Sequence, residues 1–297
     1  MTQNRYALPG LLIGALLIGF APIFVRLIDV GHTAAGFWRV FLALPLLALA
    51  LTPEIRSSRV APKARIEGTS SVKWLLFAGV FFAADLAVWH QSIRYTSVAN
   101  STLLANLCPV FVTAGSVLWL GEKITRGFVA GLALALLGSA LLVASSFSVS
   151  LQTVIGDALG VAAAVMYTGY LLIVSRERQR ASTASVMWWS SVAAAVLLLP
   201  GALLMGESIW PQSARGWWVL IGLALSAQVF GQGLIAWAMA HLPASFSSVS
   251  LLVQPVAATL LAWLLLGESF GGLQALGGVV VLAGILTCRL TMVARVS

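Results

Sequence analysis

Two stretches decide how this chain is read. PVFVTAGSVLWLGE occupies positions 109–122, and PVAATLLAWLLLGE occupies positions 255–268. Each opens on Pro-Val, runs through apolar and small residues, and closes on Leu-Gly-Glu. The offset between them is 146 residues, and over the thirty positions 109–138 it yields ten identities. Beyond the quoted stretches these include Gly131 with Gly277, Leu136 with Leu282 and Gly138 with Gly284. Nearer the N-terminus an offset of 150 pairs Gly10 with Gly160, Gly19 with Gly169, Arg26 with Arg176 and Trp38 with Trp188. The change of offset falls where the first half carries the long segment 53–72, so a single insertion accounts for it. The sequence therefore reads as a duplication, with repeats at 1–147 and 148–297.

Composition says where such a duplication can live. Of 297 residues 60% are hydrophobic and 9% charged, whereas a soluble domain is about a quarter charged. A chain this apolar cannot cover a surface facing water, which excludes an ordinary soluble enzyme. With about 20 residues per crossing, the apolar runs give ten membrane helices. They fall near 8–28, 34–52, 73–94, 97–119, 127–146, 154–175, 184–205, 216–240, 244–266 and 271–292. Arg5 and the first run could suggest a secretory leader. That run is longer than a leader core and lacks a clear small-residue cleavage site, so it reads as a retained helix.

The charge is +8, from seventeen Lys and Arg against nine Asp and Glu. It is spread between apolar runs instead of clustered on a solvated face, which argues against a nucleic-acid partner. With the N-terminus inside, thirteen basic residues fall on the cytoplasmic side, among them Arg56, Arg59, Lys63, Arg65, Lys123, Arg126, Arg178 and Arg295. Three, Arg26, Arg94 and Arg215, fall outside. The positive-inside rule thus gives a multi-pass protein with both termini cytoplasmic, expected in a bacterial inner membrane. Five helices per repeat is an odd number, so the repeats insert with opposite orientation. Inverted repeats with a midplane site between them are a recurrent plan of secondary transporters. The expected fold is all-α: ten transmembrane helices as two inverted five-helix repeats around a central cavity.

On these features the chain resembles the EamA-type members of the drug/metabolite transporter superfamily. In detail it is similar to their YddG-type exporters of aromatic and other amino acids. The resemblance implies export by alternating access, with two four-helix groups around the cavity. The fifth and tenth helices would stand outside as support or as the seam of a homodimer, where Gly127 and Gly131 would allow close contact.

Several residues could carry the function. Pro109 and Pro255 sit mid-helix, where proline lacks an N–H and clashes with the carbonyl four residues back. The carbonyls of Ala105 and Leu251 are expected to lose their helical partners, giving paired kinks that line the cavity or are merely static. Asp85 is the acidic residue deep inside an apolar run, and such residues face a bundle interior or cavity. It reads as a proton or ammonium site, or as a structural partner of a group such as Arg39. Trp89 shares its face, and His90 lies about 100° round the helix. Asn106, Gln228 and Gln232 offer amides that could hold a zwitterion or simply join helices. Tyr167, Trp188 and Trp237 are candidate aromatic walls, whereas Trp74, Trp210, Trp217 and Trp218 read as interfacial anchors. Glu122 and Glu268 close the repeated motif, either as gates or as caps of the helix that follows each.

The histidines and the two cysteines, Cys108 and Cys288, show no metal-ligand spacing. No metal, cofactor or enzymatic motif is expected. Without a phosphate-binding loop, energy must come from gradients. The expected partners are a small-molecule substrate and the bilayer. The alternative within the same superfamily is export of multidrug or aromatic cations, for which Asp85 with Trp89 would also serve.

Overall fold

The computed structural model describes residues 4–60, 72–144 and 154–293. These are helical, and ten helices are long and apolar enough to cross a membrane. The spans are α1 (Ala7–Ile18 and Ala21–Leu27), α2 (His32–Phe41 and Leu44–Val60), α3 (Val72–Tyr95), α4 (Val98–Ala105 and Cys108–Leu120) and α5 (Arg126–Val143). The second half supplies α6 (Val154–Glu177), α7 (Thr183–Leu204), α8 (Ala214–Ala238), α9 (Ala244–Ser250 and Val253–Leu266) and α10 (Gly272–Val293). The α2 helix outruns its expected end and continues through Pro53 to Val60. Lys63, Arg65 and Arg295 lie outside the described residues, as do the side chains of Arg56 and Arg59.

Four spans are interrupted, and each interruption lies just ahead of a proline. Pro22, Pro45, Pro109 and Pro255 all fall within the first three residues of a new helical segment. There the missing N–H removes no helical bond. The expected mid-helix kinks at Pro109 and Pro255 are thus short breaks, at Asn106-Leu107 and Leu251-Leu252. The carbonyl of Leu251 is not orphaned: it accepts the N–H of Gln254 at 2.8 Å. A threonine one turn past each proline donates to the proline carbonyl, Thr113 at 2.6 Å and Thr259 at 2.9 Å. This accounts for the repeated threonine. Pro200 remains inside α7.

The chain clusters into two compact units, which cut across the repeats. The first holds residues 1–83 and 173–241, the second 84–172 and 242–297. In the first unit α1 lies against α8 through glycine. A Cβ on Gly14 would come 2.8 Å from the Gly231 carbonyl, and one on Gly10 would come 2.7 Å from the Trp237 ring. Both segments of α2 pack on α7. Arg39 of α2 is 8% exposed and Gln228 of α8 is fully buried. Arg39 Nε donates to Gln228 Oε1 at 3.1 Å, and Gln228 Nε2 donates to Ser191 Oγ of α7 at 3.1 Å.

In the second unit α5 and α10 are the most intimate pair. Each presents glycines to the other's backbone. A Cβ on Gly131 would lie 2.8 Å from the Gly284 carbonyl, and one on Gly284 would lie 2.7 Å from the Gly131 carbonyl. The pair Gly138 and Gly277 repeats this at 2.7 Å and 2.8 Å. These are the glycines matched at the offset of 146, and each contacts the other's mate. Such an exchange is what a two-fold axis between antiparallel α5 and α10 produces. The Gly127 and Gly131 face therefore packs within one chain: Gly127 meets Thr291, and Gly131 meets Gly284 and Cys288.

Candidate functional site

The candidate residues divide between the units. In the second, Asp85, Trp89 and His90 lie on α3. Asp85 is half-buried and is the fourteenth residue of a helix of 24. Trp89 is also half-buried, and its ring centroid lies 5.3 Å from that of His90, which is 6% exposed. Asn106 sits in the turn that breaks α4, and its Nδ2 donates to Ser139 Oγ of α5 at 3.0 Å. Its side chain thus ties the broken helix to its neighbour. Tyr167 stacks on the buried Tyr170, centroids 5.8 Å apart. Thr168, next to it, donates to the Ala164 carbonyl at 2.7 Å.

In the first unit Gln228 has its oxygen and its nitrogen engaged, by Arg39 and Ser191 respectively. Gln232 is 2% exposed. Both lie in a π-helical stretch, residues 224–232, inside α8. The wider winding is rare and occurs frequently at functional sites. No residue pattern in the sequence signals it, since π-winding follows from packing and not from periodicity. Trp237 packs on Gly10 and lies edge-on to His241 at 5.4 Å. Trp188 is half-buried on α7.

Carboxylates at helix starts were legible only in part. Glu122 is a cap, but not of the helix that follows it. Its carboxylate accepts the N–H of Ala244 at 2.6 Å, the N–H of Ser245 at 3.2 Å, and the Ser245 hydroxyl. These donors open α9, 122 residues further along the chain. Gly121 before it has φ +70° and Gly267 before Glu268 has φ +69°, the left-handed turn that ends a helix on glycine. Three more carboxylates act at helix starts. Glu207 accepts the N–H of Ala34 at 2.9 Å, in the first turn of α2. Asp29 accepts the Gln212 N–H at 3.2 Å and the Ser213 hydroxyl at 3.0 Å, ahead of α8. Asp157 accepts the Thr96 hydroxyl at 2.8 Å and Asn100 Nδ2 at 3.3 Å, at the start of α4. A negative charge is stabilised at such ends by the unpaired N–H groups. Glu177 is the last residue of α6, 3.9 Å from Arg176 Nε. Among the acidic side chains described, Asp85 alone stands mid-span.

The supposed anchors separate. Trp210 and Trp218 are exposed, at 66% and 72%. Trp38, 5% exposed, has Trp217 at 4.9 Å and Trp210 at 5.4 Å. Its Nε1 donates to the Ile209 carbonyl at 2.7 Å. Trp74 carries the Arg176 guanidinium 5.1 Å above its ring. Among the described residues no three His, Cys, Asp or Glu side chains gather as a metal site would require.

The EamA-like transporter model matches residues 5–144 and again 154–289. The chain belongs to the EamA-like transporter family. As a member it is a multi-pass membrane transporter built of two family domains, and not an enzyme. It is 25% identical to an uncharacterized transporter of Archaeoglobus fulgidus, over 95% of this chain and 96% of that one. It is 27% identical to the pseudopaline exporter CntI of Pseudomonas aeruginosa, over 71% and 72% of the two chains. It is 29% identical to a protein of Streptantibioticus cattleyicolor named probable terminal-alkyne amino-acid exporter, over 65% and 64%. A solved crystal structure superposes with a TM-score of 0.78 at 18% identity, over 96% of this chain and 98% of the other.

Proposed function

We propose that this EamA-family transporter exports amino acids, aromatic and other small amphipathic ones, across a bacterial inner membrane by alternating access. The observation that carries the reading is Asp85. The other acidic side chains described lie at helix ends or beside them, whereas Asp85 is half-buried mid-span in α3 with Trp89 one turn further on. A carboxylate at this depth is costly unless it serves a pathway or a partner. It suits the ammonium of a zwitterion, with Trp89 offering an aromatic face to an apolar side chain. The names of two relatives, one exporting pseudopaline and one a terminal-alkyne amino acid, support an amino-acid-like substrate. In the first unit Gln232 is a candidate polar contact. Gln228 reads as a structural bridge that holds Arg39, and Asn106 as a brace between α4 and α5. The breaks ahead of Pro109 and Pro255 would let the halves of α4 and α9 move separately.

The test is uptake of a panel of radiolabelled amino acids into liposomes containing the purified protein. Saturable uptake above that of empty liposomes, competed best by aromatic amino acids, is the expected result. Folded protein that moves none of them, but moves an aromatic cation, would overturn the amino-acid reading. Asp85→Asn is expected to lower amino-acid uptake at least about tenfold, the size of one lost charge-assisted contact, with the folded fraction unchanged.

A further inference from the structure

The first turns of α3 carry aromatic rings on one face, and that face ends in positive charge. Leu75, Ala78 and Phe82 are buried. Gly79 lies with them, where an added Cβ would strike the Ser190 carbonyl of α7. The opposite stripe holds Trp74, Phe77 and Phe81. Their rings form an edge-on ladder, with centroids 6.1 Å apart for Trp74 and Phe77 and 5.0 Å apart for Phe77 and Phe81. Trp74 and Phe77 are exposed and Phe81 is half-buried. On α10, by contrast, the exposed stripe Leu276, Val279, Leu282, Leu286 and Leu290 contains no ring. Exposed Lys73 adjoins Trp74 and shares a face with Phe77, four residues on. Arg176 of α6 sets its guanidinium 5.1 Å over the Trp74 ring, with 32% of its side chain exposed. Arg180, also exposed, stands on the turn after α6, its N–H bonded to the Glu177 carbonyl at 2.9 Å. Arg178 is engaged elsewhere, its Nε donating to the Ala236 carbonyl at 3.0 Å. The acidic neighbour among the described residues, Glu177, is buried and lies 3.9 Å from Arg176 Nε. All these residues belong to the first compact unit. The segment that leads into α3 adds Arg56, Arg59, Lys63 and Arg65 against Glu54 and Glu67 in the sequence.

We propose that this stripe and the cations at its end bind an anionic phospholipid. Its phosphate sits at Lys73 and Arg176, and an acyl chain runs along Trp74, Phe77 and Phe81. A guanidinium stacks on an aromatic face and matches phosphate geometry, so Trp74 holds Arg176 in place for that contact. Lys73 adds a point charge beside it. The cations and the rings are continuous, which suits a phosphate joined to an apolar chain better than a free anion. Loop charge puts this end of α3 on the cytoplasmic side, where the leaflet is anionic. A lipid held there ties the start of α3 to the end of α6. The inference rests on the membrane and on loop charge, and on no particular substrate.

The test is native mass spectrometry of the purified protein in detergent, titrated with phosphatidylglycerol, phosphatidylcholine or inorganic phosphate. Retention of phosphatidylglycerol in preference to phosphatidylcholine is the expected result. Lys73→Gln with Arg176→Gln should weaken the tightest phosphatidylglycerol at least about tenfold. Arg289→Gln, which removes an exposed cation of α10, should leave it unchanged. Phe77→Ala should also weaken retention, by removing the acyl contact alone. If the double variant gives no monodisperse peak in size-exclusion chromatography, Lys73→Gln with Arg180→Gln, both exposed, carries the test. Equal retention of the two lipids would overturn the inference, as would an equal loss in Arg289→Gln. Displacement of the lipid by an equal concentration of inorganic phosphate, with no effect of Phe77→Ala, would show a free-anion site and overturn it too. A failed amino-acid uptake assay would leave lipid retention as it is, so the two readings fail separately.

Discussion

A single buried arginine shows how context assigns a role at the residue scale. Arg39 Nε is held by Gln228, whose amide is held in turn by Ser191. Its guanidinium lies 5.4 Å over the ring of Phe82. Gln228 has both ends occupied in a fully buried site, and so reads as architecture. Arg39→Leu is expected to destabilise the protein by about 1–3 kcal/mol, because it leaves the Gln228 oxygen buried without its donor. The pair Arg39→Leu with Gln228→Leu should recover part of that loss, since removing both partners strands neither. Thermal unfolding in detergent measures both, and a double variant no better than the sum of the two single ones would contradict the pairing.

The helices are organised at the element scale by small residues and by proline. Matched glycines let α5 and α10 approach backbone to backbone, where any side chain meets peptide atoms across the gap. Gly138→Leu is therefore expected to prevent stable assembly, read as loss of the monodisperse peak in size-exclusion chromatography. Gly233, around which a Cβ meets nothing within 4 Å, should tolerate alanine. The two helix-ending glycines make a different demand. At φ +70° and +69°, alanine at Gly121 or Gly267 should cost about 1–2 kcal/mol through backbone strain alone, measurable as a lowered unfolding midpoint. Proline positions were legible as interruptions but not as complete breaks. A proline tolerates the first turn of a helix far better than its interior, and the chain restarts its helices to exploit this.

The whole molecule turns on charge and duplication. Thirteen basic residues against three predict that both termini face the cytoplasm. Single cysteines at Lys123 and Arg180 are expected to react with a membrane-impermeant reagent from the cytoplasmic side only, and cysteines at Tyr95 and Arg215 from the other side only. Reactivity on the wrong side at either pair would overturn this topology. The compact units each draw helices from both repeats, so duplication in the sequence does not translate into two separately packed halves.

The sequence by itself determined the membrane, the ten crossings, the repeat and the family resemblance. These rest on apolar run length, loop charge and identity at a fixed offset, all of which are local or linear properties. Asp85 was legible for the same reason, as a carboxylate inside an apolar run. Tertiary structure alone decided that Glu122 caps a helix 122 residues away and that Asp29 and Glu207 cap others. It also decided that Gln228 belongs to Arg39 and that α8 is wound as a π-helix around its glutamines. Each of these depends on which helix lies against which. A carboxylate finds a helix start, and an amide finds a guanidinium, by proximity across the fold, which no spacing along the chain encodes.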